Sequence, residues 1–185
     1  MNLAGFPRRT LRGDRALFRV HRAARGPWWF SSDGSGRFDP VGSDQGACYL
    51  AEKPLGAWVE VFRKAMLIAE DDVRARRLFT VALGRELKLA DLTSRRALSF
   101  GVTAAVGAGE SYAPSQRFAA DAIAAGFDGV RYLVRHDPAQ KLYGVALFGP
   151  AGAPDGWPQG DDAPLPDELV AEAARLFGYR VLPSP

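Results

Sequence analysis

The chain has one cysteine and two histidines in 185 residues. A lone thiol, Cys48, excludes an internal disulfide framework and fits a reducing compartment. His21 and His136 lie far from it and from each other, so no zinc-ligand spacing forms and no metal is expected. Long apolar runs are missing too. Uncharged stretches such as Ala97 to Gly109 are well short of the ~20 apolar residues of a membrane helix. The N-terminus carries early arginines without the apolar segment of a signal peptide. These absences predict a cytoplasmic protein that does not enter a membrane. There is also no G-x-G-x-x-G fingerprint and no regular strand–helix alternation, which argues against a doubly wound dinucleotide-binding sheet.

What is present is ordinary for a globular protein: 47% apolar and 24% charged residues. The length suits a single domain, residues 1–185, able to bury roughly 70% of its unfolded surface. The net charge is +3 and the isoelectric point is near 9.2. The arginines cluster at Arg8, Arg9, Arg12 and Arg15, at Arg74, Arg76 and Arg77, and at Arg95 and Arg96. Acids such as Asp14, Glu70, Asp71, Asp72 and Glu86 interrupt them, which reads as a solvated face. Direct nucleic-acid binding is not expected. A homodimer is compatible with this composition and not required by it.

Periodicity supplies the elements. Leu17–His21 alternates as a strand, with Arg19 and His21 on one side and Phe18 and Val20 on the other. Ala47–Ala51 reads as a second strand that sets Tyr49 with Ala47 and Ala51, opposite Cys48 and Leu50. Pro54 suits the first turn of a helix running to about Ile68, with Leu55, Trp58, Val59 and Phe62 as its apolar stripe. Leu78–Leu83 and Glu86–Leu89 read as strands, Ser115–Ala125 as a helix stopped by Gly126, and Gly129–Val134 and Leu142–Phe148 as strands. Residues 149–166, rich in Gly, Pro and Asp, read as a surface loop. A last helix follows at about 167–178, capped by Asp167 and ended by Gly178. The fold class is α+β, a mixed sheet with flanking helices.

Three residues carry the chemistry. Arg37 sits in the turn-rich Gly34–Pro40 segment, Tyr49 in the second strand, and Glu60 on the helix one turn beyond Gly56 and Ala57, which leave space beside the acid. An arginine can hold phosphate, a tyrosine can stack on a flat ring, and a carboxylate can stabilise developing positive charge. Together they suggest a nucleotide-cleaving pocket. Plainer readings stay open beside it: Arg37 and Asp39 as a solvent-facing ion pair, Tyr49 as a core residue, and Glu60 as a carboxylate near a packed face, met by a partner or solvent. The histidines are read as structural, with His21 sharing a strand face with Arg19.

The order of motifs resembles RES-domain proteins: Leu17-Phe18-Arg19-Val20, Gly36-Arg37-Phe38-Asp39-Pro40, Tyr49-Leu50-Ala51, Ala57-Trp58-Val59-Glu60, Phe127-Asp128-Gly129-Val130-Arg131-Tyr132 and Val145-Ala146-Leu147-Phe148. The resemblance covers about residues 15–150. It implies a fold similar to ADP-ribosyltransferases and the toxin of a toxin–antitoxin pair, neutralised by a partner with a helix-turn-helix domain. It implies an enzyme, an NAD glycohydrolase or NAD phosphorylase. NAD is then the substrate and is cleaved at its N-glycosidic bond, with water or inorganic phosphate as acceptor. Arg19 and Arg37 would hold the pyrophosphate, Tyr49 would pack on the nicotinamide riboside, and Glu60 would stabilise the ribosyl cation. The family serine falls at Val134, which cannot hydrogen-bond through its side chain. Arg135, Ser111 and Ser115 are the residues available to replace it. That departure keeps two alternatives: mono-ADP-ribosylation of a protein, and a non-catalytic nucleotide- or partner-binding protein.

Overall fold

The computed structural model describes residues 1–63 and 65–184. At its centre β3 (Gln45–Ala51) and β8 (Tyr143–Pro150) pair antiparallel along their whole length, from Gln45↔Pro150 to Ala51↔Gly144. Both strands are almost wholly buried, as their short apolar runs require. Beyond β8 lies β7 (Gly129–Leu133), then β6 (Leu87–Asp91) parallel to it, then β1 (Arg8–Leu11) at the edge. Beyond β3 lies β2 (Leu17–Arg22), then β5 (Arg76–Val81) and β9 (Asp161–Pro164). The result is a mixed eight-stranded sheet with flanking helices.

The two sheet faces follow the period-2 pattern. Leu17, Cys48, Leu50, Phe79, Val145 and Leu147 share one face, over which Trp28, Phe30 and Trp157 pack. The opposite face carries two apolar groups. One lies under α4 (Ala113–Ala124) and includes Phe38, Ala47, Phe118 and Tyr132. The other lies under α1 (Pro54–Phe62) and α5 (Asp167–Phe177) and includes Val20, Ala51, Trp58 and Val134.

Several expectations change. Helix α1 stops at Phe62 instead of about Ile68, because Arg63 turns to φ 46° and its N–H closes on Val59 O. The reading also crossed Lys64, outside the described residues. Ile68 belongs to β4 (Leu67–Ala69), which pairs in parallel with β10 (Arg180–Leu182). A short helix, α2 (Glu70–Arg74), links β4 to β5, and another, α3 (Ala104–Ala108), precedes α4. Residues 149–166 are not a plain surface loop. They finish β8 and supply β9, and Trp157 packs 4.6 Å from the Phe30 ring, so apolar burial anchors a segment whose composition signals a turn. Pro166, not Asp167, is the N-cap of α5, and Gly178 ends that helix at φ 74° as expected.

Candidate active site

The sheet is divided between β2 and β3. Each pairs fully with its outer neighbour, but the two meet only at Phe18↔Ala51. The strands part beyond that bridge, and Arg19 spans the gap: its Nη1 donates to Pro27 O at 2.6 Å and to Cys48 Sγ. Above the gap lies a cleft of about 440 Å³, where the α4 group and the α1–α5 group meet. Arg19, Arg37, Tyr49, Glu60 and Arg135 all line it. Their convergence comes from two strands, a loop, a helix and a turn. Tyr112, Tyr132, Arg63 and His136 complete the wall.

Arg37 is held by its own turn. Asp39 is fully buried and accepts hydrogen bonds from Gly36 N–H, Ser31 Oγ and the Tyr49 hydroxyl, each at 2.8 Å. The Tyr49 oxygen in turn accepts from Phe38 N–H at 2.8 Å. A Cβ on Gly36 would lie 2.3 Å from Asp39 Oδ1 and 2.4 Å from the Tyr49 oxygen, so only glycine fits there. The solvent-facing Arg37–Asp39 ion pair is therefore absent. Asp39 points inward and braces the loop, while Arg37 is 8% exposed and turns toward the cleft. Its Nη2 donates to Gly109 O at 2.8 Å and its guanidinium lies 4.5 Å above the Tyr112 ring. Its Nη1 is buried without a partner. Burial, followed by the nearby charge of Arg135, makes the Arg37 proton easier to lose, with Tyr112 and Glu60 opposing that shift.

The bracing gives a stability prediction. Asp39→Ala strands two donors, Gly36 N–H and the Tyr49 hydroxyl, at about 1–3 kcal/mol each before relaxation, while Ser31 Oγ keeps Asp33 Oδ1 at 3.0 Å. Differential scanning fluorimetry is expected to show a melting temperature lower by roughly 5–10 °C. An unchanged melting point would refute the bracing role.

Glu60 reaches the cleft beside Ala57, which lines it too; the space expected at Gly56 is instead filled by β3, where an added Cβ would lie 3.0 Å from Ala51 Cβ. Burial pushes its carboxyl pKa up, and Tyr132, Arg63 and Arg37 hold the rise in check. Arg63 also donates from Nε to the Glu60 carbonyl at 2.9 Å. Burial likewise raises the phenols of Tyr49 and Tyr132 well above the ordinary value, so both are protonated at neutral pH.

Two sequence expectations are revised and one holds. Val134 is 1% exposed, packs with Val20 and Trp58, and is not on the cleft wall. It follows the last residue of β7 and shares a sheet face with Tyr132, but it lies under α1 and α5, whose apolar group covers it. Ser115 is buried and donates to Val106 O, and exposed Ser111 accepts from Ala113 N–H, so neither replaces a cleft hydroxyl. His21 faces away, with Nε2 3.0 Å from Asp162 Oδ1, and is structural. Sequence reasoning had missed Tyr112, Tyr132, Arg63 and the bracing by Asp39. Tyr132 and Asp39 stood inside quoted motifs. Tyr112 had only its place ahead of Pro114 as a signal.

A family model described as the RES domain matches residues 16–166. The chain belongs to the RES-domain family. Membership bears out the motif resemblance and its expectation of an NAD-degrading enzyme. A comparison with curated protein sequences finds no match. Among solved structures, this RES-domain protein is similar to a chain of the M. tuberculosis MbcT–MbcA toxin–antitoxin complex. The two are 23% identical with a TM-score of 0.65, over 90% of this chain and 92% of that one. At that identity the likeness speaks for the fold. Among the described residues, no helix is long and apolar enough to cross a membrane, and no group of three His, Cys, Asp or Glu is placed to hold a metal.

Proposed function

We propose that this RES-domain protein is the toxin of a toxin–antitoxin pair and that its cleft cleaves the N-glycosidic bond of NAD. The observation that carries the reading is one cleft holding a buried arginine with an unpartnered Nη1, aromatic rings and a half-buried carboxylate. Arg37, with Arg135 on the same wall, meets the pyrophosphate; a guanidinium offers paired charge-assisted bonds to phosphate oxygens. Arg19 has its Nη1 committed to the seam and serves the wall. The Tyr49 ring packs against the nicotinamide riboside, its hydroxyl already engaged by Asp39.

The bond between the anomeric carbon and the nicotinamide nitrogen breaks with its electron pair passing to nitrogen. The cationic ring leaves neutral, and no general acid is needed. Positive charge gathers on the ribose, where Glu60 stabilises it as a carboxylate, and an acceptor oxygen completes the new bond. Water yields ADP-ribose and a proton; inorganic phosphate yields ADP-ribose 1″-phosphate. The divided sheet beneath a helix-borne glutamate supports an ADP-ribosyltransferase-like architecture. The neutralising partner is a helix-turn-helix antitoxin that closes the cleft mouth, and the enzyme acts in the cytoplasm.

The test is to incubate purified, antitoxin-free protein with NAD, with and without phosphate, and to resolve the products by mass. Nicotinamide with ADP-ribose identifies water as acceptor, and the phosphorylated sugar identifies phosphate. Modified protein identifies transfer in place of either. A folded sample that releases no nicotinamide ends the reading.

A further inference from the structure

Beside Arg37, Tyr132 is a second residue of this cleft wall with an unmet need. Its hydroxyl is buried, faces Glu60, and makes no hydrogen bond of ordinary geometry. A phenol in that state is seldom left in a packed interior unless something completes it. The surroundings show that its placement is specified. Tyr132 stands opposite Gly144 across the β7–β8 ladder. A Cβ on Gly144 would lie 2.3 Å from Tyr132 Cζ and 2.6 Å from its oxygen. A glycine in the middle of a sheet weakens the strand, and here it leaves the space that the phenol occupies. The ring packs 4.9 Å from Phe38, the residue after Arg37, which ties it to the braced loop.

We propose that Tyr132 is the positioning residue of Glu60, its hydroxyl donating to the carboxylate and aiming it at the ribose. The role deepens the NAD-cleaving reading and rests on it for the identity of the ribose. The coupling between the two side chains does not. Glu60 is faced by Tyr132 from β7, by Tyr49 from β3, by Arg37 from the loop before β3 and by Arg63 from the end of its own helix. Arg19 on β2 and Arg135 and His136 after β7 line the same cleft. Of these, Tyr132 is the neutral donor whose strength depends on the carboxylate being ionised. Removing its hydroxyl destabilises the carboxylate relative to the acid, so the Glu60 pKa must rise further.

Tyr132→Phe keeps the ring, its packing on Phe38 and its fit against Gly144. The first measurement titrates the Glu60 carboxyl carbon by NMR in glutamate-labelled wild type and Y132F, assigned with E60Q. The expected result is a higher midpoint in Y132F; an unchanged or lower midpoint overturns the proposal. The second is the pH profile of nicotinamide release. Its acid limb is expected to move to higher pH in Y132F, with kcat falling about ten- to a hundredfold and KM little changed. A Y132F enzyme with wild-type kcat and acid limb also overturns it. The titration needs no turnover. A wild type that leaves NAD intact would count against the NAD reading, and the titration would still decide the role of Tyr132.

Discussion

Replacing Glu60 with glutamine is expected to lower kcat for nicotinamide release by about a hundred- to a thousandfold and to leave KM near the wild-type value. The two side chains have the same shape, so the variant removes charge without opening a cavity. The split between kcat and KM follows from when that charge is needed. NAD already carries a positive nicotinamide ring in the ground state, but positive charge reaches the ribose only as the glycosidic bond opens. An interaction made mainly in the transition state lowers the barrier without tightening ground-state binding. The site is built for such an interaction, because burial raises the carboxyl's pKa and so destabilises the isolated carboxylate. A cation arriving beside it relieves that cost. The same shift places the loss of wild-type activity at higher pH than an ordinary glutamate would give, since falling pH protonates Glu60. E60Q should also fold at least as well as the wild type. Steady-state kinetics with a melting curve check all three points; wild-type kcat in E60Q would remove Glu60 from the chemistry.

The parts of this site that were legible in the sequence are those fixed by local periodicity. Alternation in β2 and β3 assigned the faces of Phe18, Val20, Cys48 and Tyr49 correctly, and Pro54 marked the start of α1. Spacing brought Arg37, Tyr49 and Glu60 into consideration, and the fold gathers them in one cleft. What stayed hidden depends on contacts between distant residues. Helix α1 ends at Arg63, whose carbonyl accepts from the Tyr179 hydroxyl at 2.9 Å, across 116 positions of chain. No pattern within 54–68 reports that contact. Strand β10 pairs with β4 on the same long-range terms, and β1 begins with exposed Arg8 and Arg9, whose charges suit an edge strand but break the apolar pattern. Arg19 illustrates the limit of alternation. Its face was right, but that face is where Cys48 lies, so its Nη1 is committed to the seam. Val134 was read by its offset from Tyr132; that offset keeps the sheet face, but it carries the side chain from the α4 group into the core under α1 and α5, a tertiary contact that no local pattern reports.

Arg37→Met is expected to bind NAD about ten- to a hundredfold more weakly and yet to melt no earlier than the wild type. The affinity loss is that of one or two charge-assisted bonds to phosphate, which methionine cannot make. The stability side follows from the environment of the guanidinium. Arg37 is almost wholly buried, its Nη1 has no acceptor, and its partners are one carbonyl and the face of Tyr112. A buried charge without a carboxylate partner destabilises the fold, and an unbranched apolar side chain of similar reach removes that penalty while keeping contact with Tyr112. Structural and functional roles therefore predict opposite results. An arginine that holds the fold together would lower the melting temperature when replaced and disturb binding only through that loss. An arginine kept for an absent anion weakens binding in a protein that is equally stable or more so, the trade expected where function sets the residue. Calorimetric titration with NAD beside a melting curve separates the two. A large fall in melting temperature would return Arg37 to the scaffold and leave Arg135 to carry the phosphate contact.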